Sequence, residues 1–385
     1  MTIADKLNAL INIKTAIKDA IVAKGVAIAE SEPFSAYAEK ISSISGGAPV
    51  TQLLEMDMQS YWLMRGQKKL TVPEGIIEIM SGCFRQMGIE EAVLPSTLVR
   101  LRGSVFNGCA KLTTINFPDA LELIGTTCFS SCSKLLSVSF GFGSGAQLEL
   151  SSSVFMACGS LHTAIIGDRV IALPYQCFSD CRELKNLTLP NTLTTLGNSC
   201  LASTGLSEFD NLNIETMGNG VFASSLKLVR VNVPNVKKIG NTCFNNCPLL
   251  ESINIGEYVT ELPANFLVTN YLIKQYVVPP LVEKTGSYCF TSVNGLVYLE
   301  LPAPLNSVTA PLLSNCTKVE ALVMRAVVPP TVPQSSMALF VGHNASLLKI
   351  YVPDESLDAY KVASGWSAFS SLIKPMSEFV MPVIP

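Results

Sequence analysis

Cys128 and Cys132, Cys177 and Cys181, and Cys243 and Cys247 form three pairs whose thiols are separated by three residues, a separation within the loose range used by zinc ligands. With twelve cysteines in the chain, metal binding, disulfide formation and thiolate catalysis all have to be weighed. The pattern argues against each. Every cysteine stands either directly before a Phe or Leu or three residues after one, and Thr204, Ser225 and Thr269 take the second position elsewhere. A ligand set does not tolerate such replacements, whereas a packed corner does. Histidine is confined to His162 and His343, neither beside a partner motif for a nucleophile or general base. No phosphate-cradling G-x-x-x-x-G-K-S/T, no G-x-G-x-x-G and no H-E-x-x-H occurs. Glu300 and Glu320 lie in strands of successive repeats at different repeat positions and read as solvated carboxylates. No catalytic residue, metal site or cofactor is expected, and the chain is expected not to be an enzyme.

Composition narrows the alternatives further. Hydrophobic residues make up 48% and charged residues 15% of the 385, and the formal net charge is -3. This is more apolar and less charged than an average soluble domain. No block of like charge marks a nucleic-acid footprint or a polybasic membrane patch. No uninterrupted run of 18 apolar residues exists, so membrane insertion is not expected.

What positions these residues is a repeat. A two-residue signal recurs about every 23 residues: Cys83-Phe84, Val105-Phe106, Cys128-Phe129, Val154-Phe155, Cys177-Phe178, Cys200-Leu201, Val221-Phe222, Cys243-Phe244, Asn265-Phe266, Cys289-Phe290 and Leu312-Leu313. Six residues after the second member of most pairs an alternating apolar segment begins, often ending in Pro, as in Leu112 to Pro118, Leu184 to Pro190, Leu228 to Pro234 and Leu296 to Pro302. Alternation reads as a short strand, and Pro, which cannot donate to a ladder, stops it. A return segment such as Leu121 to Gly125 or Leu193 to Gly197 leads to the next pair. One such coil cannot bury its own apolar face, whereas stacked coils bury a continuous interior. The expected fold is an α+β repeat solenoid of right-handed coils, about 11 or 12 of them, spanning residues 70–352.

The flanks differ. Ile3, Leu7, Leu10, Ile11, Ile17 and Ile21 fall on one stripe with Gly25 at a helix C-cap position, and a shorter helical pattern from Ser31 to Ile41 ends in the hinge Ser45-Gly46-Gly47-Ala48-Pro49. Residues 1–47 are therefore expected to be a helical attachment or oligomerisation module, 48–69 a linker and the start of the solenoid, and 353–385 a helical cap and tail. Met1 to Lys14 lacks a cationic leader and a small-residue cleavage site, so no secretory signal is expected there.

The pattern L-x-x-I-x-L-P followed by L-x-x-I-G-x-x-C/A-F-x-x-C, with Leu347 to Pro353, Tyr360, Lys361, Gly365 and Trp366 at the end, resembles the BspA-like leucine-rich repeats of bacterial surface proteins over residues 70–375. The resemblance implies a leucine-rich-repeat solenoid closed by a capping helix. Residues 11–41, INIKTAIKDAIVAKGVAIAESEPFSAYAEKI, resemble short N-terminal segments of structural proteins of tailed phages and prophages. That is a departure from BspA-like proteins, which usually begin with an export signal.

The remaining functional surface is the outward side of the strands. Its binding candidates are Lys185, Asn186, Arg230, Asn232, Lys274, Tyr276, Tyr298 and Glu300, with the two tyrosines as anchors because Tyr binds at low entropic cost. The expected function is non-enzymatic binding or adhesion to a protein or glycan surface. The setting expected first is a phage or prophage tail protein displaying the solenoid for host recognition, with homo-oligomerisation or virion assembly through residues 1–47. The alternative is a bacterial cell-surface BspA-like adhesin. A virion-associated, cell-surface or extracellular location follows from either.

Overall fold

The computed structural model of the protein describes residues 68–333 and 338–384, with the short stretches 14–15, 17–19, 21–22, 27–28 and 52–53. The chain forms two compact units, Met1–Val170 and Ile171–Pro385. Both are parallel β-solenoid, with about 13 turns in total at a spacing of about 23 residues.

In the first unit the outward-facing strands are β1 (Lys69–Thr71), β2 (Glu91–Val93), β3 (Thr114–Ile115), β4 (Ser137–Phe140) and β5 (Thr163–Ile166). Leu70, Ala92 and Ile115 share one register, and Val138 pairs with Ala164. The alternation seen in the sequence is the alternation of burial: Val138 and Phe140 point into the core, Ser137 and Ser139 into solvent. Short return strands, among them Glu78–Ile79, Arg100–Leu101, Leu123–Ile124 and Glu149–Leu150, form a second parallel sheet.

The recurring Phe turns the corner between them. Phe84, Phe106, Phe129 and Phe155 are buried and stack face to face with centroids 5.3 Å apart at each step. Corner amides bond from coil to coil, Phe106 N–H donating to Cys128 O and Phe129 N–H to Val154 O, both at 2.8 Å. The corner is tight enough that residues two before and two after the Phe take left-handed backbone angles, Thr127 at φ 53 and Ser131 at φ 62 around Phe129. The residue after the return strand must be small: a Cβ on Gly125 would lie 2.6 Å from the backbone of Arg102 and Gly103.

The coil between Phe129 and Phe155 carries extra residues, which form a loop at 141–147 that is exposed from Phe142 onward. Arg169, itself buried, pins that loop. Its guanidinium donates to Ala146 O at 2.5 Å, Leu121 O at 2.6 Å, Phe142 O at 3.3 Å and, closely, Asp119 O.

In the second unit the outward strands are β6 (Asn186–Thr188), β7 (Glu208–Asp210), β8 (Arg230–Asn232), β9 (Ser252–Asn254), β10 (Gln275–Val277), β11 (Tyr298–Leu301), β12 (Ala321–Met324), β13 (Lys349–Val352) and β14 (Ile373–Pro375). Toward its end the corner straightens into a third strand, with Leu267, Phe290, Leu313 and Phe340 in one register. That register corrects the sequence reading. The pair in this coil is Phe266-Leu267, not Asn265-Phe266, because Asn265 (φ 53) and Thr269 (φ 58) are the left-handed residues flanking Leu267. The position three after the corner is therefore Asn270, not Thr269.

Helix is scarcer than an α+β solenoid implies, since the coils close with strands and turns. It is confined, among the described residues, to α1 (Leu357–Val362), neighbouring 3-10 turns, and residues 14–15, 17–19 and 21–22, where Ile21 is buried. Apart from 27–28, the rest of the expected module 1–47, its hinge, and the linker other than 52–53 and 68–69 lie outside the described residues. After β13, the Tyr360 hydroxyl donates to Ala326 O at 2.8 Å and Trp366 Nε1 to Pro330 O at 2.9 Å, while β14 pairs with β13 through Ile350 and Ile373. No helix among the described residues is long and apolar enough to cross a membrane.

Candidate functional site

The cysteines have a structural occupation. All twelve are buried. Those three residues after a corner donate to the carbonyl of the corner residue in the preceding coil: Cys109 to Phe84 O at 3.0 Å, Cys132 to Phe106 O at 3.2 Å and Cys158 to Phe129 O at 3.2 Å in the first unit, Cys247 to Phe222 O at 3.1 Å and Cys316 to Phe290 O at 3.3 Å in the second. Ser225 and Asn270 make the same bond to Leu201 O and Phe244 O, at 3.4 and 2.8 Å, which explains why hydroxyl and amide side chains replace the thiol. Burial pushes the Cys109 and Cys247 thiols up to about 12, away from the thiolate form that a nucleophile or ligand needs. His162 is exposed beside β5 and His343 packs edge-on to Phe340 and Phe369.

The outward strand face carries the polar chemistry. On β7, β8 and β9 the register places Glu208 beside Arg230 and then Ser252, and Asp210 beside Asn232 and then Asn254. Arg230 Nη2 lies 2.7 Å from Glu208 Oε2 and its Nη1 3.8 Å from Asp210 Oδ2. The Asn232 amide donates to Asp210 Oδ1 at 2.9 Å, the Asn254 amide to Asn232 Oδ1 at 2.8 Å, and Asn254 Oδ1 accepts from Gly256 N–H at 3.0 Å. The hydrogen bond and charge of Glu208 raise the Arg230 pKa, so the guanidinium stays charged. The result is an oriented patch of carboxylate, guanidinium and amide groups on three paired strands, able to bond polar groups of a partner.

Of the eight predicted binding residues, Arg230 and Asn232 stand together in this patch. Lys185 and Asn186 are exposed at the start of β6, where Lys185 sits 3.5 Å from Glu183. Lys274 is exposed just before β10. The two tyrosine anchors are overturned. Tyr276 holds the inward position of Ile273-x-x-Tyr276-x-Val278-Pro279, pairs with Leu299, and packs 5.7 Å from Phe266 and 6.0 Å from Phe290; its phenol is pushed up by burial. Tyr298 does point outward, but the tail of the chain covers it: Phe379 lies 6.1 Å away, and Met376 and Ile384 pack on the same cluster with Ala321 and Val323. Glu300 is half-buried, accepts the Tyr298 hydroxyl, and is bonded by Arg325 Nε at 2.8 Å. Burial favours its neutral form, but the Arg325 and Tyr298 hydrogen bonds outweigh this and lower its pKa. Glu320 precedes β12 rather than lying in it.

Sequence reasoning missed Glu208 and Asp210, because Leu206 to Asn211 carries Asn211 where other repeats have an apolar residue before Pro. The available signal was the buried pair Leu206 and Phe209, spaced as in the other strands.

Known proteins bear on the fold and the family. The chain is similar to a leucine-rich repeat protein from Bacteroides ovatus at 19% identity, with a TM-score of 0.55 over 81% of this chain and 84% of that one. It is also similar to a leucine rich cell surface protein from Faecalibacterium prausnitzii (19% identity, TM-score 0.39, 70% and 89% coverage) and to the pneumococcal vaccine antigen PcpA (14%, 0.45, 86% and 82%). No curated protein matches the sequence. The model of the BspA type leucine rich repeat region matches residues 58–145, 148–268 and 206–320 in six copies, most of the chain, and the protein therefore belongs to the BspA-type leucine-rich-repeat family.

Proposed function

We propose that this protein is a non-enzymatic binding protein that engages a protein or glycan surface through the outward residues of β7, β8 and β9, as a bacterial surface adhesin of the BspA type. The observation that carries this reading is the registered patch of Glu208, Asp210, Arg230, Asn232 and Asn254. Its groups sit on paired strands, so little ordering entropy is lost on binding. Exposed ion pairs such as Arg230 with Glu208 are screened by solvent and contribute little to stability, so the fold has little need of them. Buried, protonated thiols and two unpartnered-by-motif histidines supply no nucleophile or base, which supports the non-enzymatic reading. α1 and β14 serve as the cap of the last coil, leaving the lateral strand face for a partner.

A second setting rests on residues 11–41 alone: attachment to a phage or prophage tail, with residues 1–47 mediating assembly or self-association. Antibody against the full chain separates the two. Labelling of intact cells supports the adhesin, and labelling of purified virions after induction supports the tail protein. Light scattering of the full chain against residues 48–385 tests whether the first 47 residues drive self-association.

A further inference from the structure

The turns that follow β6, β7 and β8 enclose, with the residues leading into the next return strands, an open groove of about 440 Å³ in the second unit. This surface is distinct from the strand face. Asn191, Asn213 and Asn235 come from three successive turns, and Glu215 and Lys237 directly precede the return strands Thr216–Met217 and Lys238–Ile239. Asn213 Nδ2 donates to Asn191 Oδ1 at 3.2 Å, and Asn235 Nδ2 donates to Leu212 O at 2.7 Å. These bonds fix the amide planes while using only part of each amide's capacity of two donors and an acceptor oxygen. Glu215 and Lys237 pair at 2.9 Å, so the two charges cancel. Leu212 and Tyr258, 58% and 54% exposed, add apolar surface to the same lining.

That combination selects a ligand class. A phosphate or sulfate would need an excess of positive charge, which the Glu215–Lys237 pair removes. A purely apolar ligand would strand the amides without partners. A sugar presents hydroxyl edges, which oriented amides and a carboxylate bond well, and a C–H face, which an exposed aromatic ring covers. Successive coils lie about 5 Å apart, so the amide recurs along the groove at a spacing comparable to the width of a sugar ring. We propose that this groove binds an uncharged oligosaccharide, roughly one sugar per coil, with the Asn191, Asn213 and Asn235 amides bonding its hydroxyls and Tyr258 packing on a ring face.

The test is titration of the full chain with cellohexaose, xylohexaose, mannohexaose and chitohexaose, read by calorimetry and by saturation-transfer NMR. At least one should bind with a Kd on the order of 0.1 to 1 mM. Tyr258→Ala and Asn191→Ala, both at exposed positions, should each weaken it about tenfold or more with unchanged thermal melting, while Tyr258→Phe and the strand-face variant Arg230→Glu retain it. Absence of binding to all four, or binding unaffected by Tyr258→Ala and Asn191→Ala, would overturn the assignment. Loss of binding in Arg230→Glu alone would overturn it too, and would place the sugar on the strand face instead.

Discussion

Cys132 Sγ lies 3.2 Å from the carbonyl oxygen of Phe106, the corner residue of the coil before its own. This thiol is a structural donor, adding a second bond to a buried carbonyl oxygen that already accepts from Cys109 N–H at 3.0 Å. Because burial pushes Cys109 and Cys247 from an ordinary value of 9.0 up to about 12, and Cys132 well above 9.0, the folded state keeps protons that the unfolded chain loses. The contribution is fully present below pH about 9 and declines as pH rises from there toward about 12. We expect the melting temperature to fall steadily over the alkaline range and a thiol reagent at pH 8 to label the native protein only as fast as it unfolds. Rapid labelling of several thiols in the folded state would contradict the assignment.

The stacked rings give a second expectation. Phe129 sits between Phe106 and Phe155 with interplanar angles of 8° on both sides, and meets Phe117 edge-on at 5.4 Å. Phe129→Ala removes contacts in both directions along the stack and should cost about 3 to 5 kcal/mol in urea unfolding. A cost under about 1 kcal/mol would show that the corner collapses freely and is not packed as described.

Arg169 predicts a local effect. Replacing it with Met keeps much of the volume and removes four donated bonds to the carbonyls of Asp119, Leu121, Phe142 and Ala146. The variant should lose about 2 to 3 kcal/mol and become cleavable by protease within residues 141–147 while the other coils resist. Equal resistance to cleavage would mean the loop is held by something else.

How far the fold was legible follows from these residues. The Phe period and the strand alternation are local signals, and Phe129, Val138 and Leu196 lie where they imply. Where two apolar residues adjoin, as in Phe266-Leu267, the period alone cannot say which one turns the corner; the left-handed residues on either side decide it, and their angles are not written in composition. Tyr276 was assigned to an outward strand position, although its spacing from Ile273 and Val278 fixes it inward. Tyr298 was misread for a different reason: its strand position does face outward, and only the long-range return of Phe379 and Ile384 covers it. The apolar outward residues Ala321, Val323 and Tyr351 were the sequence trace of that cover. For the site, Arg230 and Asn232 were legible from alternation, while their carboxylate partners lay in the least regular repeat.

Binding through the outward face of β7, β8 and β9 is the property on which the proposed function rests. It is tested most directly by coating beads with the full chain or with its Arg230→Glu/Asn232→Lys variant and measuring retention on epithelial-cell and bacterial-cell layers. At least one layer should retain the wild type, and the variant, melting at the same temperature, should be retained about tenfold less or worse. Retention of neither protein on any layer, or equal retention of both wherever the wild type binds, would contradict it.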